Sequence, residues 1–181
     1  MKKFIAVFMA ALMLSFTGCT VQISPSASSS AESASSGKPL TFEVTQEMKE
    51  KNISPQNTTF IKTLADLISA HPYIGSADDF SIMYSGKYGS EGSEKLITFF
   101  AINKTNTTFK NISFVLTMKV ADNCIIDSKS VTLSKDTFGD IAPYVAKPVT
   151  LILDDEHFSY LKNANNSNVK VSMADFKADS Q

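Results

Sequence analysis

The residues best suited to chemistry in this sequence lie in one run, Asp154-Asp155-Glu156-His157. Three carboxylates beside an imidazole could hold a cation, but a metal or catalytic site needs further ligands that converge on it. The other histidine, His71, is far away in the sequence. Acidic residues are also favoured at a helix start, where they cap free N–H groups and face the positive end of the helix dipole. We therefore interpret the run as a helix start and predict no metal ligands and no cofactor.

Cys124 and a glycine-rich segment are the remaining candidates for catalysis or phosphate binding. Cys124 is followed by Ile125 and Ile126 and has no recognisable base beside it, which is typical of a half-buried apolar residue rather than a nucleophile. Segment 86–92 matches neither the phosphate-binding loop nor the dinucleotide fingerprint, so we interpret it as a flexible hairpin loop. No catalytic residue is predicted, and we expect the protein not to be an enzyme.

A different modification, lipidation, is indicated at Cys19. Lys2 and Lys3 precede the apolar run 4–14, and Thr17-Gly18 leads into the cysteine, which is the charged, apolar and small-residue order of an export signal. The run is shorter than the roughly 20 apolar residues of a membrane helix. We therefore expect the segment to be removed rather than retained.

Thr17, Gly18 and Cys19 resemble the lipobox of bacterial lipoproteins, in which small residues precede a cysteine that is acylated before the signal is cleaved. Phe16 stands where that pattern usually has Leu. The resemblance implies that residues 1–18 are a lipoprotein signal peptide and that Cys19 is the lipid attachment site. It also implies a protein anchored to the cell membrane on its extracellular face. The alternative is an ordinary secretory signal in which Cys19 is incidental.

A Ser-rich stretch follows the signal. Residues 24–38 contain no apolar residue larger than Ala, so they cannot bury enough surface to offset the entropy of ordering. We predict a disordered tether over residues 19–39, of which the Ser-rich stretch reaches about 20 Å. Residues 40–181 suit a single domain.

The charge composition argues against nucleic acid as a partner. All 17 basic residues are Lys, and the net charge is -1. Arg is the residue favoured for recognising phosphates and bases. If Cys19 carries lipid, Cys124 has no partner for a disulfide, and the fold must depend on its hydrophobic core.

The elements that position these residues are one helix and a series of strands. Residues 60–68 have apolar side chains at helical spacing, with Asn57 or Thr58 as the N-cap and His71-Pro72 as the stop. Six or seven short strands follow, over residues 80–84, 96–102, 112–120, 124–133, 149–153 and 169–173. This pattern predicts an antiparallel, immunoglobulin-like β-sandwich. A short helical turn capped by Asp154 or Asp155 is expected to present Phe158 and Leu161 to the core.

Residues 64–161 contain three stretches that resemble the SLAP domain of Firmicutes, a β-rich module of S-layer assembly and accessory secretion. The stretches are an aromatic strand that ends in Asn103, the turn 138–143, and the strand 147–151 that begins Lys-Pro. The resemblance implies a role in the cell envelope and transfers no catalytic residue.

Together these features predict a membrane-anchored extracellular lipoprotein that acts as a non-enzymatic interaction module. Its expected partners are the membrane, through the lipid, and a cell-envelope protein or wall polymer, in envelope assembly or secretion. The alternative is a lipoprotein hydrolase or ligand-binding protein whose site is assembled from residues scattered in the sequence. A deep pocket with convergent titratable groups would favour that alternative, and an exposed apolar patch would favour the interaction module.

We predict that Cys19→Ser releases the protein into the medium or leaves it unprocessed, because the thiol is the attachment point for acyl chains. Membrane fractionation and mass spectrometry of the N-terminus measure both outcomes. A Cys19→Ser protein that still carries lipid and keeps its membrane level would contradict the prediction.

Overall fold

The computed structural model describes residues 37–162, 164–165 and 167–180. The predicted signal peptide, Cys19 and most of the predicted tether lie outside the described residues. The described elements, in chain order, are β1 (Thr41–Phe42), α1 (Gln46–Glu50), α2 (Thr59–Ala70), β2 (Phe80–Glu91), β3 (Glu94–Asn103), β4 (Phe109–Val120), β5 (Asn123–Leu133), β6 (Val145–Leu153), α3 (Asp155–Leu161) and β7 (Val169–Ser180).

These strands form two sheets that enclose one core. Sheet A has the order β1-β6-β3-β2, and sheet B has the order β5-β4-β7. Neighbouring strands are antiparallel, except that β1 runs parallel to β6 with Thr41 beside Val145. Buried side chains from both sheets share a single hydrophobic cluster. The predicted mainly β architecture is therefore confirmed at the level of two packed sheets.

Strand β3 is buried on both faces because successive side chains point to opposite sides of a sheet. Ile97 and Phe99 face the core between the sheets. Phe100 and Ile102 face the other side of sheet A. This two-sided burial explains why the strand has a nearly continuous apolar sequence. Strand β4, in contrast, alternates buried and more exposed residues, as its sequence predicts for a strand with one face on the core.

Helix α2 covers the outer face of sheet A. Ile61, Leu64 and Ile68 are buried against the cluster that contains Phe100 and Ile102. The helix begins after Thr58, whose side chain makes no capping hydrogen bond, and ends at His71.

Two short elements before α2 were not predicted. Strand β1 has two residues, and α1 is a five-residue helix in which no residue is buried. The Thr45 side chain caps α1 by accepting a hydrogen bond of 3.3 Å from the Met48 N–H. Neither element has an apolar repeat long enough to give a sequence signal.

The predicted loop at residues 86–92 is wrong, because β2 continues through it to Glu91. The register with β3 shifts between Tyr84 and Lys87, which marks a β-bulge. Gly86 has a φ of 72° there, a conformation that glycine adopts without strain. Beyond the bulge the ladder resumes, and the reversal is confined to residues 92–93.

The two edge strands of sheet B are also irregular. Ser128 in β5 has a φ of 46° and Asp175 in β7 has a φ of 52°. The register of each strand with β4 shifts at that point. Three edge strands of the sandwich, β2, β5 and β7, therefore contain an interruption of their ladders.

We predict that Leu64→Ala lowers the free energy of unfolding by about 2–5 kcal/mol, because Leu64 has no exposed surface and the substitution leaves a cavity. Phe60→Ala, on the exposed side of the same helix, should change it by about 0.5 kcal/mol or less. Urea unfolding of the full chain measures both. Equal effects of the two substitutions would show that α2 does not depend on this buried face.

Candidate functional site

The acidic run begins helix α3, where Asp154 is the N-cap. One Asp154 oxygen accepts a hydrogen bond of 2.8 Å from the His157 N–H, and His157 Nδ1 lies 2.7 Å from both carboxylate oxygens. The bond from the His157 N–H holds the pKa of the Asp154 carboxyl below its usual range. Phe158 and Leu161 pack against the core from this helix, as the sequence predicts.

The other sequence candidates lie on separate elements. His71 ends α2, and Cys124 lies in β5, where its thiol is half-buried and donates to the Ile126 carbonyl over 3.4 Å. The structure therefore does not bring His71, Cys124 and His157 onto one element. Among the described residues, no three His, Cys, Asp or Glu side chains group as metal ligands.

The most unusual polar side chain, Lys147, is not among the candidate residues that the sequence indicates. Lys147 lies in β6 on the same face as the core residues Val145 and Val149, and only 2% of it is exposed. Its Nζ donates to the Asp140 carbonyl over 2.7 Å and to the Phe138 carbonyl over 3.4 Å. The same ammonium lies 5.5 Å from the centroid of the Phe138 ring. A buried cation is thus held by two backbone carbonyls and an aromatic face.

The electrostatics of Lys147 reflect this burial. Desolvation lowers the pKa of the amine from its ordinary 10.5, and the charge of Lys49 acts in the same direction. The carboxylates of Glu43 and Asp140 oppose the shift. Glu43 Oε2 lies 3.8 Å from the ammonium, which makes a long ion pair across the edge of the sandwich.

Asn103, the last residue of β3, holds the same loop from the other side. It is fully buried, and its amide donates to the carbonyls of Thr107, Ile141 and Ala142 over 2.8–3.1 Å. Its Oδ1 accepts from the Thr105 N–H and hydroxyl. We call residues 138–142 the clasped segment, because Lys147 and Asn103 bind its backbone from two neighbouring strands.

The clasped segment also connects the two sheets. Ile141 and Phe109 exchange two backbone hydrogen bonds, of 2.9 and 3.1 Å, at the start of β4. The three stretches that resemble the SLAP domain therefore lie together, at Asn103, the clasped segment and Lys147. The sequence shows these three stretches, but only the structure shows that side chains of two of them, Asn103 and Lys147, donate hydrogen bonds to backbone carbonyls of the third.

An open cleft of about 510 Å³ lies beside the clasped segment. Helix α1 and the preceding Glu43 form one side, residues 135–140 form the other, and Lys147 contributes to the lining. Four carboxylates and three lysines line it. Gly139 has a φ of 78°, which favours glycine at this position, whereas a Cβ there would make only a van der Waals contact with Lys147 Nζ, at 3.4 Å. The cleft is neither a deep apolar pocket nor a flat apolar patch.

We predict that calcium or zinc leaves the thermal midpoint of the full chain nearly unchanged, because His157 already occupies both oxygens of Asp154. A ligand at a hundredfold excess over its dissociation constant would stabilise the protein by about 2.7 kcal/mol and raise the midpoint by several degrees. Such a rise, abolished by Asp155→Ala, would contradict this prediction.

We predict that the free energy of unfolding rises, relative to that of Lys147→Met, as the pH increases towards 10.5. The folded-state pKa of Lys147 lies below the ordinary value of 10.5, so between the two values the unfolded state binds more protons and rising pH favours folding. Burial raises the pKa of Tyr84 to about 12, which costs stability above pH 10.0, but this effect cancels because both proteins contain Tyr84.

Urea unfolding at a series of pH values measures this difference. Lys62→Met is the matched control, because Lys62 is mostly exposed on α2 and does not contribute to the environment of Lys147. A difference between the wild-type protein and Lys147→Met that stays constant up to pH 10.5 would contradict the prediction.

No known protein family, curated protein or solved structure matches the chain. Within the part of the chain that the structure describes, no helix is both long enough and apolar enough to span a membrane. The resemblances at Cys19 and over residues 64–161 stay predictions.

Proposed function

We propose that the protein is an extracellular lipoprotein, anchored through Cys19, whose sandwich makes non-enzymatic contacts with a cell-envelope protein or wall polymer. The order of Lys2-Lys3, the apolar run and Thr17-Gly18-Cys19 supports the anchor. The Ser-rich stretch supports a spacer between the lipid and the folded part.

The observation that carries the interaction role is the direction of sheet A relative to the point where the chain enters it. The described chain enters this sheet at one end, where the Leu40 N–H donates to the Pro72 carbonyl and Thr41 pairs with Val145. Strand β6 ends at Leu153, beside Lys95. At about 3.3 Å per residue, the two ends of β6 lie about 26 Å apart. The Leu153 end is therefore the end of sheet A that lies farther from the attachment of the predicted tether.

That far end carries a cluster on the core-facing side of sheet A, which we call the distal group: Tyr88, Lys95 and Phe158. Tyr88 is 39% exposed, and its ring meets that of Phe158 edge to face, with centroids 5.4 Å apart. Lys95 Nζ lies 5.6 Å from the Phe158 centroid, whereas Ile152, which is 53% exposed, points to the opposite face of β6. Aromatic rings of this kind are enriched at the centres of protein interfaces.

The SLAP resemblance supports the same proposal and assigns the protein to envelope assembly or secretion. Its three stretches meet at the clasped segment and so belong to one structural element of the fold. We also propose that the sandwich is of the immunoglobulin-like type. The division of seven described strands into sheets of four and three around one core supports this classification.

The test is sedimentation of the purified full chain with isolated bacterial cell walls. We expect the wild-type protein to sediment, and the double substitution Tyr88→Ser and Lys95→Ser to weaken binding about tenfold, as for the loss of interface side chains worth about 1–2 kcal/mol. Phe60→Ser is the matched control, because Phe60 is 42% exposed but lies on α2. Equal binding of all three proteins would exclude the distal group as the contact.

The charged cleft favours a second candidate function, a ligand-binding lipoprotein. Its volume of about 510 Å³ falls within the range of about 300–1,000 Å³ typical of ligand sites, although its lining is more charged than usual. Changes in the amide resonance of Gly139 on addition of charged small molecules would support this function, whereas sedimentation with walls would not depend on the cleft.

A further inference from the structure

The segment that leads into the sandwich, residues 41–50, lies against the clasped segment and sheet A like a strap. It consists of β1, a short connection and α1. We call it the strap. Four backbone hydrogen bonds of 2.8–3.2 Å join it to the body, from the N–H groups of Thr41, Glu43, Gln46 and Glu47 to the carbonyls of Tyr144, Ala146, Phe138 and Thr137, respectively.

Little apolar burial supports these bonds. No residue of α1 is buried, and β1 pairs with β6 at only two positions. The apolar side chains of Phe42, Val44 and Met48 are partly buried at the margin of the α2 cluster. Segments with few buried contacts open locally at a lower free energy than the core strands.

Two polar groups beside the strap are incompletely hydrogen-bonded while it is closed. Asp140 Oδ1 is buried and accepts no hydrogen bond from the described residues. Lys147 has three N–H donors, of which two bind the carbonyls of Phe138 and Asp140. Glu43 Oε2, a strap oxygen, is 3.8 Å from the ammonium, which is too long for a hydrogen bond.

These unsatisfied groups reduce the cost of opening the strap. Burying an unpaired acceptor or a partly paired cation costs free energy that hydration restores. Burial also lowers the pKa of Lys147, which shows that the closed state disfavours the charged amine. Opening would admit water to the Lys147 ammonium and to Asp140 Oδ1 without breaking the bonds that Lys147 makes to the clasped segment.

We propose that the strap detaches from the sandwich as one unit, while strands β2 to β7 stay folded, and that this opening exposes the amine of Lys147. The closed strap withholds a primary amine from solvent, and the open strap makes it available to amine-modifying reagents or to a partner carboxylate. This inference does not depend on the proposed function. If the chain is anchored through Cys19, tension from the tether reaches Leu40 first, which is buried and bonded to the Pro72 carbonyl, and then the strap.

The test is acetylation of the purified full chain with an N-hydroxysuccinimide ester, followed by peptide mass spectrometry. Lys104 is the internal control, because it is only 9% exposed and its Nζ donates to the carbonyls of Tyr73 and Gly75, neither of which belongs to the strap or the clasped segment. We expect Lys147 to react faster than Lys104, at a rate that does not change with urea below the unfolding transition.

Thr45→Ala should raise the Lys147 rate about fivefold and leave the Lys104 rate unchanged, because it removes the side-chain cap of α1. Thr58→Ala is the matched control at the N-cap of α2, where the threonine makes no capping bond, and should change neither rate. Equal rates for Lys147 and Lys104 with the same urea dependence would show that only global unfolding exposes Lys147, and would overturn the proposal.

Hydrogen exchange of the wild-type chain tests the proposal without any substitution. The amides of Glu43, Gln46 and Glu47 should exchange together and faster than those of Ile97 and Phe99 in β3. Exchange of the strap amides as slow as that of the β3 amides would also overturn the proposal.

Discussion

The contacts that the clasped segment makes with Lys147 and Asn103 are the constraint on which the rest of the sandwich depends. Residues 138–142 contain no regular helix or strand, yet their carbonyls must be paired where they are buried. Lys147 supplies donors from β6 and Asn103 supplies donors from β3, while Phe109 pairs with Ile141 from sheet B. Helix α1 donates to the same loop. One irregular segment thus holds sheet A, sheet B and helix α1 in fixed positions relative to one another.

A lysine in this position is a compromise between two costs. An apolar residue would avoid the desolvation of an ammonium, but it would leave the Asp140 carbonyl without this donor, at about 1–3 kcal/mol for a buried unpaired group. The Phe138 carbonyl would keep the Gln46 N–H as a donor. Lysine satisfies both and keeps its charge near the surface carboxylate of Glu43. Buried ionic groups contribute more to a defined arrangement than to net stability. The contacts of Lys147 therefore explain the position of the clasped segment better than they explain the stability of the domain.

Sequence patterns identify the parts of this fold that repeat. The alternation in β4 and the spacing of Ile61, Leu64 and Ile68 in α2 give clear signals, because each reflects burial of one face over several turns or pleats. The polar helix α1 and the two-residue β1 have no such repeat. The bulge at Gly86 makes a strand resemble a loop in composition. Tertiary hydrogen bonds between distant residues leave no periodic pattern in a sequence. The available signal of the contact between Lys147 and the clasped segment is therefore a lysine within the apolar strand 145–153.

The irregular edge strands have a consequence for a protein concentrated on a surface. An open strand edge can pair with the edge of a neighbouring molecule and build a continuous sheet through many copies. Here β1 is too short to act as such a template, and β2, β5 and β7 are bent by the interruptions at Gly86, Ser128 and Asp175. If the molecules stand side by side in two dimensions, their edges present poor templates for one another. Crowding can then increase without turning the layer into an aggregate.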